Sequence, residues 1–217
     1  MQLYAHPFSS YCQKVLVALY ENAIPFEFRM LSPEHAGNMD ELGRQWPLRR
    51  MPLLIDEGRA VFESSIIVEY LDQHHRGPVR WLPEAHDAAL RVRLLDRFFD
   101  QYVMTPMQRI VADYLRPAAN RDAYGVAEHR KLLDAAYAWL ETELAARQWA
   151  AGDAFTLADC AAAPSLFYAD WVQPIPPACG NVRAYRKRLL ARPSFARAVD
   201  EARPYRPLFP PGAPDRD

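Results

Sequence analysis

The sequence predicts two domains, an N-terminal α/β domain followed by an all-α domain. Strand-like and helix-like segments alternate over roughly the first third of the 217 residues, and only amphipathic helical segments follow. The change occurs at RGPVRWLPEAHD, a segment that glycine and proline interrupt. We therefore predict an α/β domain over residues 1–77, a linker over 78–86 and a helical domain over 87–217.

The α/β domain begins with a predicted βαβ unit. The first strand is QLYAH, and the second is FEFRML, in which apolar and polar residues alternate. The helix between them is CQKVLVALYENA, because Val15, Leu16, Leu19 and Tyr20 follow the spacing of an amphipathic helix. Two strands joined by a helical crossover are expected to be parallel, with a right-handed connection.

A hairpin and a further helix complete the first domain after a polar, less regular stretch. The hairpin strands are PLLID and RAVFE, which Glu57 and Gly58 separate. Ser64 and Ser65 then offer N-caps for a helix through IIVEYL. The predicted order of elements is βαβ, connector, ββα.

The second domain begins with two long predicted helices. The first spans about 87–116 and is expected to be interrupted at Pro106. The second spans about 121–147 and has one apolar stripe. The stripe consists of Leu133, Tyr137, Leu140 and Leu144.

Shorter helices are predicted towards the C-terminus. One begins at FTLADC, where Thr156 is the N-cap and Asp159, three residues later, completes a capping box. Two more are expected at about 182–191 and 194–202. The tail, RPYRPLFPPGAPDRD, is rich in proline and is expected to be extended on the surface or frayed.

Composition excludes several classes of function. Lys and Arg total 26 against 27 Asp and Glu, so no basic field attracts nucleic acid or an anionic membrane. No segment approaches the roughly 18 to 20 apolar residues of a membrane span. Three cysteines cannot form a complete disulfide framework, and no signal-like segment precedes the first strand, so a reducing cytoplasm is expected.

Motifs for several cofactors are also missing. The sequence contains no GxGxxG, GxxxxGK, GxSxG or HExxH motif. We therefore expect no nucleotide cofactor and no metal cofactor. His74 and His75 stand at the end of a predicted helix without a partner at metal-ligand spacing, and we expect them to be solvated.

The turn HPFSSYCQKV joins the first strand to the first helix and contains candidate catalytic residues. Ser9, Ser10 and Cys12 precede or begin a helix, where free N–H groups and a partial positive charge stabilise an anion such as a thiolate. A serine hydroxyl can donate a further hydrogen bond to sulfur. The alternative is that these serines are simple N-caps.

Two further turns suggest a binding site for a peptide-like ligand. Pro52 precedes a strand, where a cis bond would expose the backbone of Met51 to an extended peptide; an ordinary trans proline is the alternative. Glu63 and Ser64 stand at a strand-to-helix turn. There Ser64 and backbone N–H groups could hold a carboxylate and Glu63 an ammonium, unless the residues serve only as caps.

These motifs, in this order, resemble those of the cytosolic glutathione transferases over nearly the whole chain. SSYCQKV, WPLRRMPLL, ESSIIVEYL and GDAFTLADC are similar to the family's motifs. The resemblance implies a thioredoxin-like N-terminal domain and an all-helical second domain. It also implies a bacterial, serine-type member with a zeta- or theta-like active-site turn. The cysteine that would make it omega-like or glutaredoxin-like is replaced by Ser9.

The resemblance also implies roles for individual residues. Ser9 would activate the thiolate of glutathione, with Ser10 as the rival candidate. Glutathione would be bound by Arg50, Met51, Pro52, Glu63 and Ser64, with Arg49 and His35 as further candidates for its glycyl carboxylate. Trp46 and Arg49 stand where the family commonly has Asn and Gly.

The electrophile is expected between the domains, against the first long helix of the second. The candidates are aromatic and methionine residues, which at such spacing could equally be core. They are Phe98, Tyr102, Met104, Met107, Tyr114 and Trp171.

The predicted function is therefore a glutathione S-transferase that adds the thiolate of its co-substrate glutathione to a small hydrophobic electrophile, as in detoxification. One alternative is a glutathione-dependent isomerase or dehalogenase. Another is a non-catalytic binding or interaction protein on the same scaffold. The resemblance implies a homodimer in each case.

Overall fold

The first domain contains a four-stranded mixed sheet. The computed structural model describes every residue from Met1 to Asp217. The strands are β1 (Gln2–Ala5), β2 (Glu27–Met30), β3 (Leu53–Asp56) and β4 (Arg59–Phe62), in the spatial order β2-β1-β3-β4. β1 is parallel to β2 and antiparallel to β3, which is antiparallel to β4. The predicted βαβ unit and hairpin are confirmed.

Three helices accompany the sheet, one more than the sequence predicts. They are α1 (Ser10–Glu21), α2 (Ala36–Gln45) and α3 (Ser64–His74). α2 occupies the stretch expected to be irregular. Its one buried side chain, Leu42, packs in a small separate cluster with Tyr4, Leu31 and Leu53.

The second domain is all-helical, as predicted. Its first elements are α4 (His86–Phe98), a π-helical segment (Phe99–Met104) and α5 (Thr105–Tyr114). They are followed by α6 (Ala123–Glu143), α7 (Leu157–Val172), α8 (Gly180–Leu190) and α9 (Pro193–Ala202). No helix is both long enough and apolar enough to cross a bilayer.

The interruption of the first long helix begins earlier than predicted. Pro106 lies in the first turn of α5, where its missing N–H costs little. The break is instead the π-helical segment, which begins at Phe99, and the Thr105 hydroxyl donates to the Asp100 carbonyl at 2.9 Å. A π-helical segment changes the direction of every later side chain in the helix.

One hydrophobic core joins the two domains. α1 lies at its centre, because it packs against α3 on the side of the first domain and against α7 and α9 on the side of the second. Of the ten α1 residues from Ser10 to Leu19, nine are buried, and the exception is Tyr11. The four apolar residues predicted to form the α6 stripe are also buried. α1 is therefore held on all sides, which fixes the turn that precedes it.

The C-terminal tail is neither extended nor frayed, contrary to the expectation. A 3-10 helix spans Arg203–Leu208, and Phe209 is buried beyond it. Arg216 forms an ion pair with Asp170 of α7, and Arg203 binds Asp217 at 3.1 Å. These contacts hold the tail against the second domain.

Candidate functional site

The turn before α1 presents two serines at the start of the helix. The Ser9 N–H donates to the carbonyl of His6 at 3.0 Å, which closes the turn. Ser9 is the N-cap, and its hydroxyl accepts from the Cys12 N–H at 3.4 Å, a long contact. Ser10 begins the helix and is buried. No acidic residue lies in the first turn, so its positive partial charge is not neutralised locally.

Cys12 is not a nucleophile in this arrangement. Its side chain is fully buried, and burial raises the pKa of its thiol to about 11. A thiolate, which sulfur chemistry requires, is therefore disfavoured. Cys160 and Cys179 are buried as well, and burial also raises the pKa of each. The role of Cys12 is packing in the core.

The loop before β3 contains the predicted cis proline. The Met51–Pro52 peptide bond is cis, and Pro52 is buried. The ladder of β3 begins only at Leu53, so the backbone of Met51 lies outside the sheet. These backbone groups are where an extended ligand could pair.

The turn before α3 leaves the start of that helix uncapped. α3 begins at Ser64, its N-cap is Glu63, and no side chain caps it, so the expectation that Ser64 and Ser65 serve as caps is wrong. The first N–H groups of α3 are consequently free for an anion. Glu63 has φ +66°, a conformation that costs a non-glycine residue about 1–3 kcal/mol and clusters at ligand sites.

Sheet topology brings these three turns to one edge. Leu53, the first residue of β3, pairs with Tyr4 near the end of β1 and with Phe62 at the end of β4. The turn after β1, the loop before β3 and the turn after β4 are therefore neighbours. They contain Ser9 and Ser10, Met51 and Pro52, and Glu63 and Ser64, respectively.

The connector to the cis proline follows a route fixed by Trp46. Its ring stacks on Phe62, with centroids 4.4 Å apart and planes at 19°. The guanidinium of Arg49 lies against α2, since a Cβ at Gly43 would stand 2.7 Å from its Nη2. Arg50 is exposed beside the site, whereas His35 contacts the Ser32 hydroxyl at 2.9 Å.

A cleft of about 210 Å³ lies beside the two serines, between the domains. α5 supplies Met107, Gln108 and Val111 to its walls, and the tail supplies Leu208, Phe209 and Pro210. Phe8, Ser9, Ser10 and Tyr168 complete the lining. The cleft can therefore hold a small apolar group next to a sulfur atom at the start of α1.

Of the six predicted electrophile residues, only Met107 lines this cleft. Trp171 lies behind it, 5.1 Å from the ring of Phe209. Phe98 packs against Trp139 at 4.2 Å, with the exposed Tyr102 beside it. Met104 is a core residue, and the half-exposed Tyr114 contacts Arg121. The structure therefore does not place Phe98, Tyr102, Met104 or Tyr114 in the cleft beside Ser9.

Several residues that shape the site were not predicted. Gln13 is fully buried and donates to the Pro7 carbonyl and to the Tyr168 hydroxyl, both at 3.0 Å. It thereby holds the serine turn against α7. Burial raises the pKa of Tyr168, so its phenol stays protonated. The tail residues at the cleft had no signal in the sequence, because only tertiary contacts place them there.

A larger cavity of about 760 Å³ lies elsewhere, beside the C-terminal half of α1. Its lining includes Phe28 and Met30 of β2 and Phe26, which precedes β2. Ser9, Ser10, Met51 and Ser64 do not line it. Its charged residues, Arg197 and Glu201, form an ion pair with each other at 2.8 Å. The smaller cleft is therefore the candidate site, since it adjoins the two serines at the start of α1. No group of three or more His, Cys, Asp or Glu side chains is placed to hold a metal ion.

Two family models match the chain. The model for the glutathione S-transferase N-terminal domain matches residues 3–79, and the model for the glutathione S-transferase C-terminal domain matches residues 100–193. Together they span both domains of the structure.

Solved structures and curated proteins are similar over nearly the whole length. A glutathione S-transferase from Methylobacterium radiotolerans, in complex with glutathione sulfonate, is 31% identical with a TM-score of 0.79, covering 91% of this chain and 93% of its own. Escherichia coli glutathione S-transferase GstB is 28% identical, covering 88% and 93%. A stringent starvation protein A homolog from Coxiella burnetii is 27% identical, covering 93% and 92%.

Proposed function

The chain belongs to the glutathione S-transferase family, and we propose that it is a glutathione transferase acting on a small hydrophobic electrophile. The observation that supports this most is the convergence of three turns at one sheet edge, those of Ser9, of Met51 and Pro52, and of Glu63 and Ser64. They suit the thiol, the backbone and the γ-glutamyl end of one tripeptide. The relative from Methylobacterium radiotolerans has a glutathione derivative bound.

Glutathione would lie extended across this edge. The free N–H groups of α3 and the Ser64 hydroxyl would hold the γ-glutamyl carboxylate, and Glu63 its ammonium. The backbone of Met51 would pair with the cysteinyl residue, which directs the sulfur towards α1. Arg50, exposed beside the loop, is proposed for the glycyl carboxylate, since Arg49 lies against α2.

The start of α1 would then ionise the thiol. A free thiol has a pKa of about 8.5, and lowering it by about two units requires roughly 2.7 kcal/mol of preferential thiolate stabilisation. A hydroxyl hydrogen bond to an anion contributes about 1.5–3 kcal/mol, and a helix N-terminus about 0.3–2 kcal/mol. Ser9 is favoured as the donor because it is less buried than Ser10.

Catalysis would follow when the electrophile occupies the cleft between α5 and the tail. The sulfur lone pair would attack the electrophilic carbon, and the leaving group or a developing anion would take up the negative charge. Met107, Phe209 and Tyr168 would shield this step from water, and no covalent intermediate with the protein is needed.

Isothermal titration calorimetry with glutathione, followed by assays with a panel of aryl halides and Michael acceptors, tests this proposal. We expect binding in the micromolar to millimolar range and conjugates that consume glutathione stoichiometrically. Turnover without loss of glutathione would replace conjugation by glutathione-dependent isomerisation. Release of halide without net loss of glutathione and without a stable conjugate would indicate a dehalogenase. No binding of glutathione would leave a non-catalytic binding protein as the function.

The proposal includes a homodimer formed through α3 and α4. Arg93 of α4 binds Glu69 of α3 at 2.8 Å, so the two helices lie side by side. Ile66 lies one turn before Glu69, Leu90 lies one turn before Arg93, and Leu94 directly follows Arg93. Each is about half exposed or more. They form an apolar patch that a second subunit would cover.

We expect light scattering at micromolar concentration to give twice the 24.9 kDa mass of one chain. Leu90→Glu with Leu94→Glu should give a monomer, because two carboxylates cannot be desolvated in an apolar interface. Leu115→Glu is the matched control, since Leu115 is 72% exposed at the far end of α5. A monomeric wild type, or a double variant that remains dimeric, would contradict this interface.

A further inference from the structure

Lys14 of α1 is a fully buried charge that the proposed chemistry does not use. Its Nζ lies 2.5 Å from an Asp96 oxygen, 2.8 Å from an Asp100 oxygen and 2.8 Å from the Ser65 hydroxyl. Burial alone would lower the pKa of Lys14, but Asp100 and Asp96 raise it, so the ammonium stays protonated.

The surrounding residues form a neutral but imperfect ionic cluster. Arg97 adds a second cation, with its Nη1 2.5 Å from Asp96 and 3.0 Å from Ser65. Two cations thus face two carboxylates. The second oxygen of Asp100, however, is buried without a hydrogen-bond partner. Replacing such a buried cluster by apolar residues of equal volume is often neutral or stabilising, so fold stability alone does not account for its geometry.

The cluster connects the three parts that the proposed substrates would contact. Lys14 lies one turn after Ser10 on α1, and Ser65 directly follows Ser64 at the start of α3. Asp100 belongs to the π-helical segment, which leads into α5 and thus into the wall of the cleft. The 2.8 Å contact between Lys14 and Ser65 is a direct side-chain link between α1 and α3.

We infer that Lys14 is a positioning residue that fixes the spacing between the thiol turn of α1 and the γ-glutamyl turn of α3. This inference rests on the proposed function. One glutathione molecule would contact both turns. If the distance between the turns changed, glutathione could not make its thiol contact and its γ-glutamyl contact at full strength together.

The most informative variant is Ser65→Ala. It removes the link to α3 but leaves Lys14 with both carboxylates, so no charge becomes unpaired. Calorimetry is expected to give a five- to tenfold larger Kd for glutathione, and steady-state kinetics a similar rise in KM. The kcat at saturating glutathione should fall less than twofold.

Ser194→Ala is the matched control. The Ser194 hydroxyl donates to Glu21, which Arg192 binds at 2.6 Å, at the opposite end of α1. Ser194 is as buried as Ser65, and the bond also joins α1 to a neighbouring helix. A purely structural role would give both variants the same loss of thermal stability and the same Kd. We expect an unchanged Kd in Ser194→Ala.

A second variant removes the lysine itself without unbalancing charge. Lys14→Met with Asp100→Asn leaves one carboxylate, Asp96, paired with one cation, Arg97. We expect an increase in Kd at least as large as that of Ser65→Ala. If Ser65→Ala left the Kd for glutathione unchanged, or if Ser194→Ala raised it equally, the role of Lys14 would be overturned. The proposed function would not be affected by either result. A wild-type protein that does not bind glutathione would overturn the proposed function and this role with it.

Discussion

Ser9→Ala is expected to raise the pKa of glutathione bound to the protein by about one to two units. The loss of a hydrogen bond to a charged group, about 1.5–3 kcal/mol, sets this size. From a bound pKa of about 6.5, this shift lowers the thiolate fraction at pH 7, and kcat/KM with it, by roughly 3- to 25-fold. Because a raised pKa is overcome by alkali, the rate should recover as the pH rises. Thiolate absorbance in the ultraviolet and a pH–rate profile measure both effects.

Ser10→Ala is the control for this experiment. Both serines line the cleft, but Ser10 is buried and its hydroxyl lies 3.5 Å from the Gln108 amide nitrogen. We expect Ser10→Ala to leave the pKa of bound glutathione within a few tenths of a unit. The reverse pattern would assign the activating hydroxyl to Ser10. If neither variant changed that pKa, serine activation would be refuted.

The elements of the sheet could be predicted because their signals are local. Alternation of apolar and polar residues indicates β2, short apolar runs indicate β3 and β4, and the turn at Glu57 and Gly58 joins β3 to β4. The positions of the glutathione-binding candidates then followed from a resemblance to a family with the same order of motifs. Once β3 runs antiparallel to β1 and β4, the three turns must share one edge.

Helix α2 was missed because local signals oppose it. Its sequence, AGNMDELGRQ, contains Gly37 and Gly43, and each glycine costs roughly 1 kcal/mol relative to alanine inside a helix. It has only two large apolar residues, Met39 and Leu42. The helix forms because Leu42 is buried against strand residues that are distant in sequence, which no local pattern reveals.

Of the six residues predicted to contact the electrophile, only Met107 lines the cleft, because residue type along a long helix does not reveal which side chains face it. The π-helical segment over 99–104 shifts the phase of α5 relative to α4, so continuing the periodicity of α4 does not predict which α5 side chains face the cleft. The tail presents a similar difficulty. Proline permits a 3-10 helix, but Phe209 reaches the cleft only because contacts such as that of Arg216 with Asp170 hold the tail.

The second large expected effect concerns Asp159, the capping-box residue of α7. Its carboxylate accepts the N–H of Ala150 at 2.8 Å, the N–H of Thr156 at 2.9 Å and the hydroxyl of Tyr185 at 2.5 Å. The group is fully buried, so Asp159→Ala would leave these donors without partners. Each such group costs about 1–3 kcal/mol.

We therefore expect Asp159→Ala to lower the free energy of unfolding by about 3–5 kcal/mol, with Tm falling by roughly 10 °C. Asp153→Ala, which removes an exposed carboxylate from the same loop, should change Tm by less than about 2 °C. Urea denaturation followed by circular dichroism measures both variants. Equal stability of the two would mean that the box does not hold the start of α7. Since α7 packs on α1 and Tyr168 reaches Gln13, the Asp159 variant should also bind glutathione more weakly below its Tm.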